Sequence, residues 1–169
     1  SRCHDSYTEM VLHETGITMN PTLYKKIEEL RRASRELLRL GEADGMVYAD
    51  DLSRLNREVC RQSRALLKAK GETPEEEAAI CVALLMSYTV TMYGNPVEQQ
   101  KQQILDRALY VLDELPASLL KCQLLTYCYG VAGDEELLKE ACEIIDSWGG
   151  RELLEEEKEV VEGVKCMKE

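Results

Sequence analysis

The sequence predicts an all-α fold of about seven helices, packed as antiparallel hairpins around a central apolar helix at residues 74–93. Three observations carry this prediction. Apolar residues recur every three or four positions along most of the chain, which is the period of a helix buried on one face. Typical cap residues, prolines and glycines separate these segments. No alternation of apolar and polar residues runs far enough to predict a strand.

The central helix is predicted from the stretch TPEEEAAICVALLMSYTVTMYG. Thr73 is a typical N-cap residue, Pro74 suits the first helical position, and Glu76 suits a capping box. Residues 78–93 carry no charge, and a helix that is apolar all round belongs inside a bundle or a membrane. Because a membrane span needs about 20 mostly apolar residues, we expect a buried helix that Gly94 ends.

The other six helices are predicted from their start and stop signals. They are expected at 21–41 after the cap Asn20, 51–69 after Asp50, 96–114 after Asn95, 116–130, 135–148 after Asp134, and 152–166. Lys121 lies in an apolar run, so we expect it to reach solvent or an acidic side chain. Glu157 faces an apolar arc, which is therefore either shallow or contains a basic partner.

The length predicts one domain. We expect a weakly ordered N-terminal segment at residues 1–18 and a single all-helical domain at residues 19–169. The N-terminal segment contains both histidines, His4 and His13, with Cys3 beside His4. Their spacing is not that of a metal site, and an ordinary exposed segment explains them.

The net charge of −11 is spread unevenly. Residues 51–71 hold six Lys or Arg against two Asp or Glu, a local charge of +4, and residues 134–169 hold five against thirteen, a local charge of −8. A protein this acidic repels phosphates, so direct nucleic-acid binding is not expected and a basic partner is favoured. Charge that serves solubility alone is the plainer interpretation and stays open.

Two charged helix faces are candidate partner-binding surfaces. The first, the acidic face, consists of seven carboxylates in the last two predicted helices: Glu136, Glu140, Glu143, Glu152, Glu155, Glu159 and Glu162. The alternative is a basic stripe on the second helix, opposite its apolar face and spaced in steps of three and four: Arg54, Arg57, Arg61, Arg64 and Lys68. Exposed helix faces are normally charged, so a solvated surface is the simpler interpretation of each set.

The cysteines indicate a reducing environment. The seven cysteines are odd in number, contain no CxxC pair and fall mostly on apolar helical faces. Reduced, mostly buried thiols in a cytoplasmic protein fit this usage best. We also expect no secretory leader and no membrane span.

The sequence contains no recognisable catalytic motif. It lacks GxSxG, a P-loop, GxGxxG, HExxH and any zinc-ligand pattern. We therefore predict a binding or regulatory module rather than an enzyme, with no cofactor and no bound metal. An enzyme with an unfamiliar carboxylate site stays open as an alternative.

Several segments resemble a known protein family. They include PEEEA at 74–78, LLMSY at 84–88, LPASLLKCQLLTYCYG at 115–130, DEEL at 134–137 and IIDSW at 144–148, with LNREV at 55–59, LDR at 105–107 and GREL at 150–153. Together they are similar to the UpxZ family, antagonists of transcription antitermination encoded in bacterial capsular polysaccharide loci. The matching positions are mostly packing residues, so they bear on the fold more than on the mechanism.

The resemblance implies a trans-acting inhibitor. Its partner would be a NusG-like antitermination factor of the UpxY type from another capsule locus, alone or in the RNA polymerase elongation complex. Inhibition would ensure that one capsule is made at a time. On this interpretation the acidic face docks on a basic surface of the factor. The alternative is a helical adaptor for an unknown protein partner, without enzymatic activity, which would use the basic stripe.

Overall fold

The computed structural model describes residues 10–11, 18–42 and 49–169. In this part of the chain the α-helices are α1 (Pro21–Glu42), α2 (Ala49–Leu67), α3 (Pro74–Val90), α4 (Lys101–Leu112), α5 (Leu119–Ala132), α6 (Glu135–Asp146) and α7 (Glu155–Lys168), with a 3₁₀ helix at Pro96–Glu98. The all-α fold class is therefore confirmed. None of the helices described is long and apolar enough to cross a membrane.

A short pair of strands precedes the helices. Strands β1 (Met10–Val11) and β2 (Thr18–Met19) are antiparallel, with Met10 opposite Met19. The sequence predicted no strand, because two residues are too few to produce a readable alternation. Most of the segment 1–18, including His4 and His13, lies outside the described residues, so its predicted weak order stays a prediction.

Helix α3 is buried along most of its length. Ten consecutive residues, 78–87, are buried, and the helix packs against α1, α2, α4 and α5. Thr73 caps it as expected, with its hydroxyl accepting from the Glu76 N–H at 3.1 Å. The Glu76 carboxylate accepts from the backbone N–H groups of Glu72 and Asn20, both at 2.9 Å, so this cap also anchors the start of α1.

The end of α3 was predicted too late. The helix stops at Val90 because Thr91 adopts extended backbone angles, and the predicted end at Tyr93 is wrong. Gly94 does have a positive φ of 74°, but it lies in the loop that follows and does not cap the helix. After it, Asn95 and Pro96 begin a 3₁₀ helix, with the Asn95 side chain accepting from the Val97 N–H.

Other predicted boundaries also differ from the structure. Helix α2 begins at Ala49, so Asp50 lies in its first turn and is not the cap. Helix α4 begins at Lys101, after the 3₁₀ helix. Helix α5 begins after the N-cap Ser118 and continues beyond Gly130 to a left-handed Gly133. Helix α7 begins at Glu155, which leaves Glu152 in the preceding loop.

A polar seam joins α2, α3 and the loop after α3. The Ser63 hydroxyl donates to Ser87 Oγ at 2.8 Å, and the Ser87 hydroxyl donates to the Leu84 carbonyl at 2.7 Å. Asn95 Nδ2 donates to the same Ser87 Oγ at 3.2 Å. Both serines are fully buried. Since buried hydroxyls are costly without partners, the seam fixes how far the two helices can slide past each other.

Charged side chains help to attach the last helix, whose Val160 and Val161 also pack against the core. Buried Arg31 of α1 donates to Glu156 of α7 at 2.9 Å, and Arg35 Nη2 donates to the same carboxylate at 3.2 Å. Buried Glu157 accepts two hydrogen bonds from Arg151, at 2.6 and 2.9 Å. Arg151 is therefore the basic partner that the sequence left open. The hydrogen bonds from Arg151 lower the pKa of Glu157. A hydrogen bond from the Leu154 N–H lowers this pKa further.

Candidate protein-interaction surfaces

The acidic face is spread over α6, the loop after it, and α7. Helices α6 and α7 pack against each other, so their carboxylates lie on neighbouring elements. Six of the seven predicted residues are exposed: Glu136, Glu143, Glu152, Glu155, Glu159 and Glu162. Glu140 is only partly exposed because it pairs with Lys121 at 2.7 Å, which confirms the expected acidic partner of that lysine.

Several carboxylates of the acidic face already have basic partners. Glu155 and Glu162 pair with Lys158 and Lys165 one turn further along α7, at 3.3 and 3.4 Å. Glu159 lies 3.7 Å from Arg35 of α1. Such exposed pairs are weak, so they reduce the local negative charge without removing it. Glu136, Glu143 and Glu152 form no ion pair with any residue that the structure describes.

The basic stripe is exposed along the whole of α2, but its charges are not equivalent. Arg54 pairs with Asp51, and Arg61 Nε donates to Glu58 at 3.0 Å. This hydrogen bond from Arg61, with a second from Gln62, lowers the pKa of Glu58 to about 2. Two of the five cations are therefore already paired within the helix.

Three cations of the stripe remain available to a partner. Arg57, Arg64 and Lys68 are exposed and form no ion pair within the described part of the chain. Periodicity placed all five cations on one face, but it could not show which of them α2 neutralises itself. The intrahelical acids Asp51 and Glu58 were the available signal.

Two exposed apolar side chains beside the stripe were missed by sequence reasoning. Met92 and Tyr93, in the loop after α3, are 58% and 53% exposed. Asn56 of α2, itself 1% exposed, accepts from the Met92 N–H and donates to the Tyr93 carbonyl, both at 2.9 Å. The Tyr93 hydroxyl lies 3.2 Å from Ser53 Oγ. The loop therefore lies against α2, and both side chains stay more than half exposed.

A polar groove continues this surface toward the end of α2. It encloses about 770 Å³ and is lined by residues of two segments: Arg64, Leu67 and Lys68 of α2, and Gly94, Asn95, Pro96, Glu98, Gln99 and Gln100 of the next segment. The floor is rigid because the buried Asn95 side chain bonds Ser87, Thr91 and the Val97 N–H. Its walls combine two cations with amides and one carboxylate.

Metal ligation and thiol reactivity are two properties of the described residues that bear on chemistry. No group of three or more His, Cys, Asp or Glu among them is arranged to hold a metal ion. Burial raises the pKa of the thiols of Cys81, Cys122 and Cys128 to about 12, so these thiols stay protonated near neutral pH.

The chain is similar to known proteins of one kind. Residues 27–130 match the sequence model of the UpxZ family of transcription anti-terminator antagonists. The fold matches the crystal structure of a transcription anti-terminator antagonist UpxZ from Bacteroides uniformis ATCC 8492, with 39% identity and a TM-score of 0.75. That match covers 86% of this chain and 92% of the other. No curated protein sequence matches the chain.

Proposed function

Because this chain belongs to the UpxZ family of transcription anti-terminator antagonists, we propose that it binds the NusG-like, UpxY-type antitermination factors of other capsular polysaccharide loci. Binding would stop such a factor from carrying RNA polymerase through its operon, so that capsule expression is restricted to one locus. The family is one of transcription regulators and not of enzymes. A cytoplasmic site of action is part of the proposal, since transcription takes place there.

The acidic face is the observation that supports this proposal most directly. Residues 134–169 carry a local charge of −8, and six of the seven carboxylates of the face are exposed. A surface of one sign speeds the encounter with a surface of the opposite sign and selects against other partners. Leu154, 40% exposed at the start of α7, offers an apolar contact beside these charges. We infer that the factor presents a basic surface to this face.

Occlusion is the mechanism that follows. A factor whose basic surface is covered by α6 and α7 cannot use that surface to contact polymerase or nascent nucleic acid. Charge attraction between exposed groups is screened over about 8–10 Å at physiological salt. Inhibition that depends on the acidic face should therefore weaken as the salt concentration rises.

Calorimetric titration of the purified chain against several UpxY-type factors, at two salt concentrations, tests the proposal. We expect binding to the factors of other loci and weaker binding at the higher salt concentration. The sharpest variant is Glu136→Lys with Glu143→Lys and Glu152→Lys, because these carboxylates have no ion pair among the described residues. We expect it to weaken binding about tenfold or more.

A matched control separates the acidic face from net charge. Asp106→Lys with Asp113→Lys and Glu114→Lys makes the same change in charge at exposed positions on α4 and just after it. This control should bind like the wild type. Equal weakening by both triple variants would contradict the acidic face. Failure to bind any factor, alone or in a reconstituted elongation complex, would contradict the proposed function itself.

A further inference from the structure

We propose that Arg57, Arg64, Lys68, Met92 and Tyr93 form a second docking surface, here called the α2 surface, for an acidic protein segment that carries a large apolar side chain. The inference does not rest on the acidic face or on the proposed binding of an antitermination factor by it. The α2 surface lies wholly within residues 27–130, whereas the acidic face begins after them.

The apolar part of the α2 surface is held in place before any partner arrives. Both polar atoms of the Asn56 side-chain amide are used on the loop: Oδ1 accepts from the Met92 N–H, and Nδ2 donates to the Tyr93 carbonyl. Asn95 fixes the following residues through three further hydrogen bonds. Two large apolar side chains are thus kept exposed by buried polar groups. Preorganisation of this kind lowers the entropy cost of binding.

The cations lie beside these apolar side chains. Ser53 and Asn56 contact Tyr93, and Arg57 is the next residue of the same helix. Arg64 and Lys68 follow on the same side and form one wall of the groove whose other wall begins at Gly94. A single bound segment can therefore meet Tyr93 and the groove cations together. Tyr, Met and Arg are also the residue types most enriched at protein interfaces.

Charge determines the partner. The three cations have no carboxylate partner among the described residues, so an acidic segment would supply what the fold does not. Nucleic acid fits less well, since Glu98 lies on the groove wall and the chain carries a net charge of −11. A binding site for phosphates usually gathers more cations, because most of its affinity comes from counterion release. An acidic protein segment meets both the charge and the apolar contacts.

Selection from a displayed library of random 12-residue peptides tests the proposal without knowledge of the partner. The full-length chain is the bait, and peptides that also bind Arg57→Glu/Arg64→Glu/Lys68→Glu are removed. We expect the remaining peptides to be rich in Asp and Glu and to carry at least one aromatic residue or leucine. The affinity of a synthesised winner should fall about tenfold or more in Tyr93→Ala and be largely kept in Tyr93→Phe.

The control makes the same charge change elsewhere. Lys25→Glu with Lys26→Glu and Arg32→Glu alters three exposed cations of α1 and should leave peptide affinity unchanged. The thermal midpoint of every variant, measured by circular dichroism, verifies that it is folded. The proposal is overturned if no peptide is enriched, or if the enriched peptides are not acidic.

Two other occupants give distinct and equally decisive results. A single-stranded 12-nucleotide DNA that binds more tightly than any peptide, with loss of binding in the α2 triple variant, would make the surface a nucleic-acid site. Self-association of the wild type in analytical ultracentrifugation that the same variant abolishes would make a second copy of the chain the occupant. Either result overturns the acidic-segment proposal.

Discussion

Helix α3 buries ten consecutive residues, whereas α7 buries only Glu157 and Val164. The core around α3 is largely apolar, so most of its stability comes from area removed from water. Helix α7 packs Val160 and Val161 against that core and is also held by Arg31 and Arg35, which pair with its carboxylates. Paired charges add little net stability but are costly to break one partner at a time. The two helices therefore differ in how easily each can leave the protein.

This difference bears on the proposed function because three of the seven carboxylates of the acidic face lie on α7, which buries fewer residues. Glu159 contacts Arg35 at 3.7 Å, and its neighbour Glu156 holds both Arg31 and Arg35. A basic partner that approached this face would compete with those arginines for the same carboxylates. The acidic residues outside these pairs are available without such competition. On the proposed function, attachment of α7 and recognition of a partner by α7 would use the same chemistry.

The largest expected effect is in the apolar core. Leu84→Ala removes a fully buried side chain of α3, and such a truncation costs about 2–5 kcal/mol of unfolding free energy. Val164→Ala on α7 should cost less, about 1.6 kcal/mol, since it removes two buried methylene equivalents where Leu84→Ala removes three. Urea unfolding followed by circular dichroism measures both. If the two variants cost the same, the contrast between the helices is wrong. Leu109→Ala, at a partly exposed position of α4, is the control.

A smaller effect is expected where α7 meets α1. Glu156→Gln keeps the shape of the side chain but removes the charge that Arg31, 5% exposed, and Arg35 share. Hydrogen bonds to charged groups contribute about 1.5–3 kcal/mol, so opening of α7 should become easier by about that amount. Hydrogen exchange of the α7 amides measures this opening directly. Faster exchange should be confined to α7, and Glu155→Gln, one residue away and exposed, should exchange like the wild type.

The smallest effect is expected on acidification. The hydrogen bond from Arg151 lowers the pKa of Glu157 below its usual 4.5, so ionised Glu157 stabilises the folded state. Its contribution is complete above the unfolded pKa of 4.5 and is lost as the pH falls through the lowered folded value. Trp148 is the single tryptophan, and the centroid of its ring lies 5.7 Å from the Arg151 guanidinium carbon.

Tryptophan fluorescence therefore reports on this junction. We expect emission to change below pH 4.5, before the far-ultraviolet circular dichroism of the helices is lost. Glu157→Gln has no charge to lose and should show no separate fluorescence step. A step that persists in this variant would mean that another group controls the junction. The pKa of Glu77 on α3 is also lowered on balance, but protonation of Glu77 would affect the helices around α3 and not the junction beside Trp148.

Much of the fold could be predicted from local signals. Seven helical segments in the correct order follow from apolar periodicity, and Asp134 caps α6 through the Glu136 N–H as expected. The boundaries that failed have different causes, and the start of α4 is the clearest case. Proline and asparagine signals after Gly94 mark a helical start, but they suit a 3₁₀ turn as well as an α-helix. A glycine with a positive φ, such as Gly94, indicates a turn, but it does not show how many residues earlier the preceding helix ends.

Less of the candidate surfaces could be predicted, because they depend on residues far apart in the sequence. Asn56 orients a loop 36 and 37 residues away, and Glu156 pairs with an arginine 125 residues away. Periodicity identifies which charges share a helix face, but it carries no information about partners on other helices. Hence the stripe on α2 was predicted, while the exposure of Met92 and Tyr93 was not.

The buried seam between Ser63, Ser87 and Asn95 has a consequence for how this protein can diverge. Replacement of Ser87 alone by alanine would leave two buried donors, Ser63 Oγ and Asn95 Nδ2, without their shared acceptor. Replacement of several members by apolar residues of similar size would avoid that cost. We therefore expect these three positions to covary among related chains. Chains with only one of the three replaced should be rare, because a partial replacement leaves a buried polar group without a partner.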